Sequence, residues 1–300
     1  MARSHPPTLI TLVARCLREE CGVTRGTRLL LALSGGSDSM ALLHVLSLLA
    51  KKSGFLLNAH GVDHGLRPAA ALELDRAEAR CSALGVPFSR TVLALSQGGN
   101  LQARAREARR SALLATATSL RADLIATAHH ADDRAETVLL RLLRGAGPTG
   151  LAVLPPRSGV WVRPQGRARK ADILAHLARH QLEFAQDPSN LEPRFLRTRV
   201  RGELLPLLEQ LSPQIVAHLC ALADALAEPL LPGSERALGE HPRDAIALTL
   251  NRAQRVSFGR ARTLGQRSAR IRLSHGHELR LDPTTLEPLV VSGLIRPRKG

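Results

Sequence analysis

A short apolar run that ends in a glycine-rich turn constrains the fold of this chain more than any other feature. Five apolar residues, Leu29 to Leu33, are followed at once by Ser34-Gly-Gly-Ser-Asp-Ser39, and nearly every position from Met40 to Leu49 is apolar. A buried strand, a tight turn and a helix packed on a sheet produce this order. The unit is typical of the start of a parallel α/β sheet, which binds ligands at the carboxyl ends of its strands.

The turn has the composition of an anion site. Its glycines allow positive φ and close backbone approach, so that successive N–H groups can surround a phosphate at a helix N-terminus. It lacks the Gly-Lys-Ser/Thr ending of a Walker A loop. In the alternative, it is a plain turn whose Asp38 or Ser39 caps the helix. Because six such residues exceed what a cap needs, we assign the whole turn to phosphate binding: Ser34, Gly35, Gly36, Ser37, Asp38 and Ser39.

Strand-like and helix-like segments continue to alternate as far as residue 144. Further helices are predicted over 170–180, 193–209 and 213–228, and the proline-rich residues 229–243 are typical of a linker. We predict an α/β fold with a Rossmann-like, doubly wound, mostly parallel sheet. The catalytic domain is expected over residues 1–212, followed by a smaller, largely helical and basic C-terminal domain over 213–300.

The composition favours an intracellular chain with an anionic partner. Lys and Arg number 42 against 26 Asp and Glu, a formal charge of +16, which suits nucleic acid or a phosphorylated substrate. A general preference for arginine in the genome would also raise this charge. No apolar run approaches the roughly 20 residues of a membrane span, and the N-terminus lacks a signal peptide. The four cysteines form no Cys-x-x-Cys pair, so we expect reduced thiols and a cytoplasmic location.

Carboxylates follow a later predicted strand. Asp133 and Glu136 share a helix face at i, i+3, next to Asp132 and the pair His129-His130. Acidic residues in a first helical turn ordinarily interact with the helix dipole. The same group has the chemistry to hold a cation, either a metal or a substrate ammonium, and the spacing leaves both interpretations open.

Two arginine clusters are candidate phosphate contacts. Arg106 and Arg109 lie at i, i+3 on one predicted helix, and Arg197 belongs to a second run with Arg194, Arg199 and Arg201. A solvated helix face is the alternative, although guanidinium groups bind phosphate bidentately. His60 and His64 have the i, i+4 spacing of zinc ligands, but their strand-to-loop context argues against a zinc site.

Together these motifs resemble the tRNA(Ile)-lysidine synthetase family of the PP-loop ATP pyrophosphatase superfamily. The resemblance covers about residues 28–210 in order. It comprises the turn 34–39, Asp63-His-Gly-Leu-Arg67, Gln102–Arg110, His129-His-Ala-Asp-Asp…Glu-Thr, Asp187-Pro-Ser-Asn190 and Phe195–Arg201. The turn alone indicates only a PP-loop ATPase, whereas the later motifs are specific to lysidine synthetases.

The resemblance implies an ATP-dependent ligase. ATP would adenylate C2 of the wobble cytidine of a CAU-anticodon isoleucine tRNA, and the ε-amine of free L-lysine would then displace AMP. It also implies roles for five catalytic residues. Asp38 would hold Mg²⁺, Asp133 and Glu136 would bind the charged amine of lysine, and Arg109 and Arg197 would stabilise the adenylating phosphate or bind tRNA. Expected partners are this tRNA and lysine but no membrane, with a homodimer as one open alternative.

The chain departs from the family pattern at Arg134, Arg110, the inserted Gly61 and Gln165-Gly166. None of these departures removes a residue assigned to the chemistry. A PP-loop tRNA thiolase is a rival within enzymes, but thiolases generally need cysteines as persulfide carriers or cluster ligands. A non-catalytic basic RNA-binding protein is a rival of another class, against which the intact turn and the Asp133–Glu136 pair argue.

Overall fold

The structure is a computed structural model that divides into two compact units, Met1–Glu228 and Pro229–Gly300. It describes residues 7–63, 65, 68–93, 101–185 and 196–227, and three strands within 270–292. No helix among these residues is long and apolar enough to cross a membrane.

The first unit is built on a six-stranded sheet of order β3-β2-β1-β4-β6-β5. All neighbouring strands are parallel except β5 and β6. The strands are β1 (Arg28–Leu33), β2 (Leu56–Asp63), β3 (Phe88–Val92), β4 (Leu124–Ala126), β5 (Arg157–Ser158) and β6 (Trp161–Val162). This confirms the predicted α/β class and mostly parallel sheet. The two-residue strands β5 and β6 were not predicted, because they are too short for a period-two pattern.

Helices connect and cover the strands. They are α1 (Leu9–Glu19), α2 (Ser37–Ser53), α3 (Pro68–Leu84), α4 (Leu101–Ser119), α5 (Ala131–Leu142), α6 (Pro148–Leu151), α7 (Lys170–Arg179), α8 (Leu196–Arg199), α9 (Leu205–Leu211) and α10 (Ile215–Ala227). The single helix predicted over 193–209 is interrupted, because a π-helical turn, Val200–Leu204, separates α8 from α9.

The side chains of alternate residues of β1 pack on opposite faces of the sheet. Leu29, Leu31 and Leu33 belong to a core shared with α1, α2 and α7, whereas Leu30 and Ala32 pack with α4 on the other face. Every one of these side chains is buried. A continuous apolar strand is what a sheet covered on both faces requires, so the run Leu29 to Leu33 is explained.

A third core joins α5, α6, α9 and α10. Because α10 packs against α5 and α6, it belongs to the first unit, which ends at Glu228. The apolar face of α10 thus completes the core of the first unit, whereas the separate domain predicted from the sequence begins at residue 213.

The described part of the second unit is a small sheet, which was not predicted from the sequence. Its described residues form an antiparallel sheet of β7 (Arg270–Arg272), β8 (His277–Leu281) and β9 (Pro288–Ser292), in sequence order. The three segments are rich in β-branched residues or alternate apolar and charged side chains, as strands with one covered face do. The predicted linker, 229–243, lies outside the described residues.

The sheet places one crevice above β1 and β4. The chain proceeds from β1 to β2 and β3 on one side and returns to β4 on the other side of β1. The connections after these two strands diverge, which opens a crevice at their carboxyl ends. The turn 34–39 follows β1, and His129 and His130 follow β4.

Candidate functional site

The glycine turn is shaped for a ligand at the start of α2. Gly35 has φ +79°, and a Cβ there would lie 2.8 Å from the backbone oxygen of Glu73. Both facts require glycine at this position. Gly36 is the N-cap of α2, and no described side chain accepts a capping hydrogen bond from that helix end. The alternative that Asp38 or Ser39 is the cap is therefore wrong, and the first N–H groups of α2 remain available to an anion.

Ser39 fixes the turn from inside. Its buried hydroxyl donates to the backbone oxygen of Gly36 at 3.0 Å and accepts the N–H of Ser34 at 3.2 Å. The hydroxyls of Ser34 and Ser39 are also 3.1 Å apart. The turn is thus organised by its own side chains, and Ser34 and Ser37 are left at the surface of the crevice.

Lys170 reaches the turn from the first residue of α7. Its ammonium donates to the Ser37 hydroxyl at 2.8 Å and makes a very short ion pair with the Asp38 carboxylate. An ammonium at a phosphate loop is a point charge suited to phosphate oxygens. It also shows that the Asp38 carboxylate accommodates a cation.

His130 links this carboxylate to the start of α5. It is the N-cap of α5, where its Nδ1 accepts from the backbone N–H of Asp133 at 3.4 Å and the Asp133 carboxylate accepts from the N–H of His130 at 3.1 Å. Its Nε2 lies 3.8 Å from Asp38 and 3.5 Å from Asp133. Burial lowers the pKa of His130, but a hydrogen bond to Asp132 and the charges of Asp133 and Asp38 outweigh it, so the pKa is raised.

Asp132 is a structural carboxylate. It accepts from the guanidinium of Arg169 at 2.8 and 3.0 Å and from the backbone N–H of Lys170 at 2.8 Å. Burial raises the pKa of Asp132, yet hydrogen bonds from His130 and Arg169 hold it well below its usual range. Of the three neighbouring carboxylates, this one therefore joins α5 to the N-terminus of α7.

Asp133 and Glu136 face two arginines from the segment around α8. Glu136 is 1% exposed, and it accepts from Arg201 at 2.6 and 3.0 Å and from Arg197 at 3.1 Å. The Asp133 carboxylate lies 3.4 Å from Arg201 and 3.5 Å from Arg197. The side chains of both arginines are 46% exposed. The site therefore presents a buried carboxylate to cations that approach from solvent.

Arg109 of α4 lies near enough to His129, the residue before His130, for its charge to act on the imidazole. No described carboxylate lies within ion-pair distance of the half-buried Arg109, and burial together with Arg106 lowers its pKa. Burial, with contributions from Arg163, Arg109 and Arg197, also lowers the pKa of His129 to about 4 against the opposing effect of Asp133. The imidazole is therefore neutral near pH 7, and the surplus positive charge favours an anion.

A pocket of about 200 Å³ connects the turn to the carboxylate pair. Charged side chains dominate its lining, which comprises Asp38, His130, Asp132, Glu136, Lys170, Arg201, Leu205, Pro206 and Glu209. Its size suits an amino acid, and the turn lies at its edge. One pocket thus borders both a phosphate loop and a buried carboxylate.

Residues 10–208 match the model of the ATP-binding PP-loop domain family, ATP_bind_3. The chain belongs to the PP-loop family. The match covers the whole six-stranded sheet, the glycine turn and both arginines that face Glu136, so every hydrogen bond and ion pair described for the site lies within the PP-loop domain.

Curated relatives of this PP-loop protein are named tRNA(Ile)-lysidine synthase. The one from Xanthomonas axonopodis pv. citri (strain 306) is 40% identical over 251 residues, which are 78% of this chain and 55% of the relative. The one from Aromatoleum aromaticum is 37% identical over 261 residues, 82% of this chain and 61% of the relative. The chain spans about half the length of the curated relatives it matches.

A solved structure shares the fold of the PP-loop domain. It is the U34-tRNA thiolase of Methanococcus maripaludis with its [4Fe-4S] cluster, at a TM-score of 0.63 and 20% identity, and the match covers 74% of this chain and 80% of that one. At this identity the likeness concerns the fold alone.

The PP-loop domain brings most of the predicted site residues together. The turn, Asp38 and Glu136 border one pocket, with Asp133 and Arg197 beside it. Arg109 does not line this pocket, and its charge acts on His129. His64, Arg194 and the Asp187–Asn190 motif fall outside the described residues.

Sequence reasoning missed two cations of the site. No role was predicted for Lys170, and Arg201 was named only as a member of an arginine run. Arg201 lies four residues after Arg197, so both contact the same carboxylate from one helical face. That spacing was a readable signal, whereas Lys170 lies 132 residues from Asp38 and only the fold joins them.

Residues at which the chain departs from the family pattern make specific packing contacts in the structure. Arg110 lies over the ring of Trp161, 4.8 Å from its centroid, a cation–π contact. A Cβ at Gly61 would lie 2.7 Å from the Cδ2 of Leu74 and 3.0 Å from the ring of Phe88, so a larger residue there would require these side chains to shift. The ring nitrogens of His60 lie 2.8 Å from the hydroxyl of Ser89 and 3.1 Å from that of Thr91, which gives this histidine a structural role.

Proposed function

We propose that this PP-loop protein ligates L-lysine to C2 of the wobble cytidine of a CAU-anticodon isoleucine tRNA, with ATP as the energy source. The cytidine O2 attacks the α-phosphorus of ATP and releases pyrophosphate. The lysine ε-amine then attacks C2, and AMP leaves with the oxygen. The single observation that carries this proposal is the pocket bordered by both the phosphate turn and Glu136, and the names of the relatives support it.

The turn is the proposed binding site of the phosphates that leave as pyrophosphate. The N–H groups at the start of α2, the Ser34 and Ser37 hydroxyls and the Lys170 ammonium are the donors. The ion pair with Lys170 shows that Asp38 accommodates a cation, so the residues fit Mg²⁺. Asp38 would hold Mg²⁺, which when bound would neutralise charge on the phosphates, and the Lys170 ammonium would bind a phosphate oxygen.

Asp133 and Glu136 are the proposed binding site of the lysine ammonium. The two carboxylates already bind the guanidinium groups of Arg197 and Arg201, so a cationic ligand replaces cations of the same charge. When lysine binds, the displaced Arg197 becomes available to the adenylating phosphate or to tRNA. Arg109, which has no described acidic partner, is a second phosphate contact.

The surroundings of the cysteines favour this ligase over a thiolase. All four cysteines are buried, and burial raises the pKa of Cys81 to about 12 and that of Cys220 to about 11. A persulfide carrier or a cluster ligand must be an accessible thiolate. Buried thiols do not meet this need, which favours the ligase. The thiolase and the non-catalytic RNA-binding protein are the alternative outcomes of the test.

The remaining partners follow from charge and location. A formal charge of +16 suits a long tRNA contact that weakens as salt rises. The second unit, with its basic strands, is a proposed part of that contact. We also propose that the protein acts in the cytoplasm, where tRNA, ATP and lysine are available, and a homodimer stays a prediction.

The test is transfer of labelled lysine to tRNA by the full chain. With ATP and an unmodified CAU-anticodon isoleucine tRNA, we expect one lysine per tRNA and equal amounts of AMP and pyrophosphate. An isoleucine tRNA with a GAU anticodon is the matched control and gains no lysine. A folded chain that binds ATP and tRNA but transfers no lysine contradicts the proposal, and sulfur transfer in its place establishes the thiolase.

Replacement of Asp38 tests the assignment of the turn. Asp38→Ala removes the partner of Lys170 and the proposed Mg²⁺ ligand, so we expect tRNA-dependent pyrophosphate release to fall at least about 100-fold. Asp75→Ala is the control, because it also removes an exposed carboxylate from an ion pair, with Arg90, away from the site. Retained pyrophosphate release in Asp38→Ala shows that the turn has been assigned incorrectly.

A further inference from the structure

Three histidines meet between α2 and α7, away from the proposed active site. His44 lies on α2, His176 on α7, and His180 directly after the end of α7. One ring nitrogen of each lies within 4.8 Å of those of the other two. The closest pair is Nδ1 of His44 and Nε2 of His176, at 2.9 Å.

The cluster is a consequence of helix geometry. His176 and His180 are four residues apart, so they share the side of α7 that faces α2, and α2 and α7 pack in one core. His44 and His176 are buried, whereas His180 is exposed. The core therefore holds two of the rings in place, and the third ring, that of His180, lies on the solvent side of the group.

After the hydrogen bond within the cluster is formed, ring nitrogens with free lone pairs remain. A neutral imidazole has one donor and one acceptor nitrogen, so the 2.9 Å contact between His44 and His176 uses a single proton for two nitrogens. No described carboxylate lies within ion-pair distance of any of the three rings. A histidine buried only for structure usually has hydrogen-bond partners for its ring nitrogens, as His60 has in the hydroxyls of Ser89 and Thr91.

Burial and neighbouring charges lower the pKa of two of the three rings. Burial, His180 and Arg80 lower the pKa of His44. Burial, His180, His44 and Arg179 lower that of His176 to about 4. A metal binds the neutral form of imidazole. The two arginines oppose any cation, so the site favours metals that bind imidazole strongly over Mg²⁺ or Ca²⁺.

We propose that His44, His176 and His180 form a three-histidine site for a divalent transition metal of the Zn²⁺ class. Tetrahedral Zn²⁺ holds nitrogens at about 2.0–2.1 Å, which separates ligand nitrogens by about 3.3 Å. The close pair at 2.9 Å therefore has to open by a few tenths of an ångström. The fourth position, on the side of the exposed His180, is open to water.

The metal would link two helices that begin at the phosphate turn. α2 starts at Ser37 and α7 at Lys170, and His44 and His176 lie seven and six residues further on, about 10 Å along each helix. Lys170 contacts Ser37 and Asp38 across the same pair of helices. The metal thus stabilises the alignment of these helices without touching the reacting groups.

The test is a Co²⁺ titration of the full chain after removal of any histidine tag and treatment with chelator. We expect one equivalent to bind and to give visible bands with the intensity of tetrahedral cobalt, without a thiolate charge-transfer band. Zn²⁺ should displace it and, at about 100-fold excess over its Kd, raise Tm by about 5 °C or more.

His180→Ala is the decisive variant, because this exposed residue is replaced without disturbing the core. We expect the cobalt bands and the Zn²⁺ effect on Tm to be lost in His180→Ala and kept in His218→Ala, which replaces an exposed histidine of α10. The proposal is overturned by an absence of saturable binding, by unchanged binding in His180→Ala, or by a thiolate band that places the metal on cysteine.

Discussion

The two sides of α5 carry the same kind of ion pair in opposite arrangements. On one side the carboxylate of Glu136 is buried and its partners Arg197 and Arg201 are about half exposed. On the other side the guanidinium of Arg134 is 1% exposed and its partner, Asp224 of α10, is the more accessible group. Arg134 and Glu136, which are two positions apart on α5, thus belong to different ion-pair networks.

The difference shows which pair can be exchanged for a ligand. The arginines that face Glu136 approach from solvent and compete with water, so another cation can take their place. Arg134 donates to the Val153 backbone oxygen at 2.9 Å and to Asp224 at 2.7 Å, and Asp224 also binds Arg167. A buried charge without its partner is strongly destabilising, so we assign the second network to stability alone.

Breaking the Arg134 network should have the largest effect on stability. Asp224→Asn removes the charge that compensates a buried guanidinium, so we expect the free energy of unfolding to fall by about 3 kcal/mol. The double variant Arg134→Gln/Asp224→Asn removes both charges. Denaturant unfolding should return it to within about 1 kcal/mol of the natural chain. A double variant as unstable as Asp224→Asn would contradict the assignment.

Gln165 provides a smaller test of what burial costs in this fold. Its side chain is fully buried, and both its amide nitrogen and oxygen lack a hydrogen-bond partner. Gln165→Leu removes these unpaired groups at similar volume, so we expect stability to rise by about 1 kcal/mol. Urea unfolding measures the change, and Gln181→Leu, at an exposed position, is the control. A loss of stability would show that Gln165 has a polar role.

The sequence predicts the features of this molecule that depend on contacts between residues close together in the chain. The run Leu29 to Leu33 and the glycine turn predict the strand, the helix and the phosphate site, because these contacts are local. The approach of Lys170 to Asp38, and of Asp224 to Arg134, joins residues more than 80 positions apart. No local pattern encodes such pairs, which explains why Arg134 was noted only as a departure and the histidine cluster was missed.

The smallest expected effect concerns the loss of folding stability at acidic pH that His129, just before α5, causes. The pKa of His129 is lowered to about 4 in the folded chain, against about 6.5 unfolded. The unfolded chain therefore binds the proton first, and stability falls as the pH drops from about 6.5 to 4. His129→Asn should reduce the loss between pH 7 and pH 6 by about 0.5–1 kcal/mol, as measured by Tm. His218→Asn is the control, and an unchanged pH profile in His129→Asn would contradict this cause.

The contrast between the two sides of α5 is tested most directly by the KM for lysine in the transfer of lysine to tRNA. Glu136→Gln keeps the size of the side chain but removes the charge that binds the ammonium, so the account predicts a KM about 10- to 100-fold higher with the KM for ATP little changed. Arg134→Gln/Asp224→Asn, altered on the other side of the same helix, should keep the KM of the natural chain. An unchanged KM for lysine in Glu136→Gln, or an equal rise in both variants, would contradict the account.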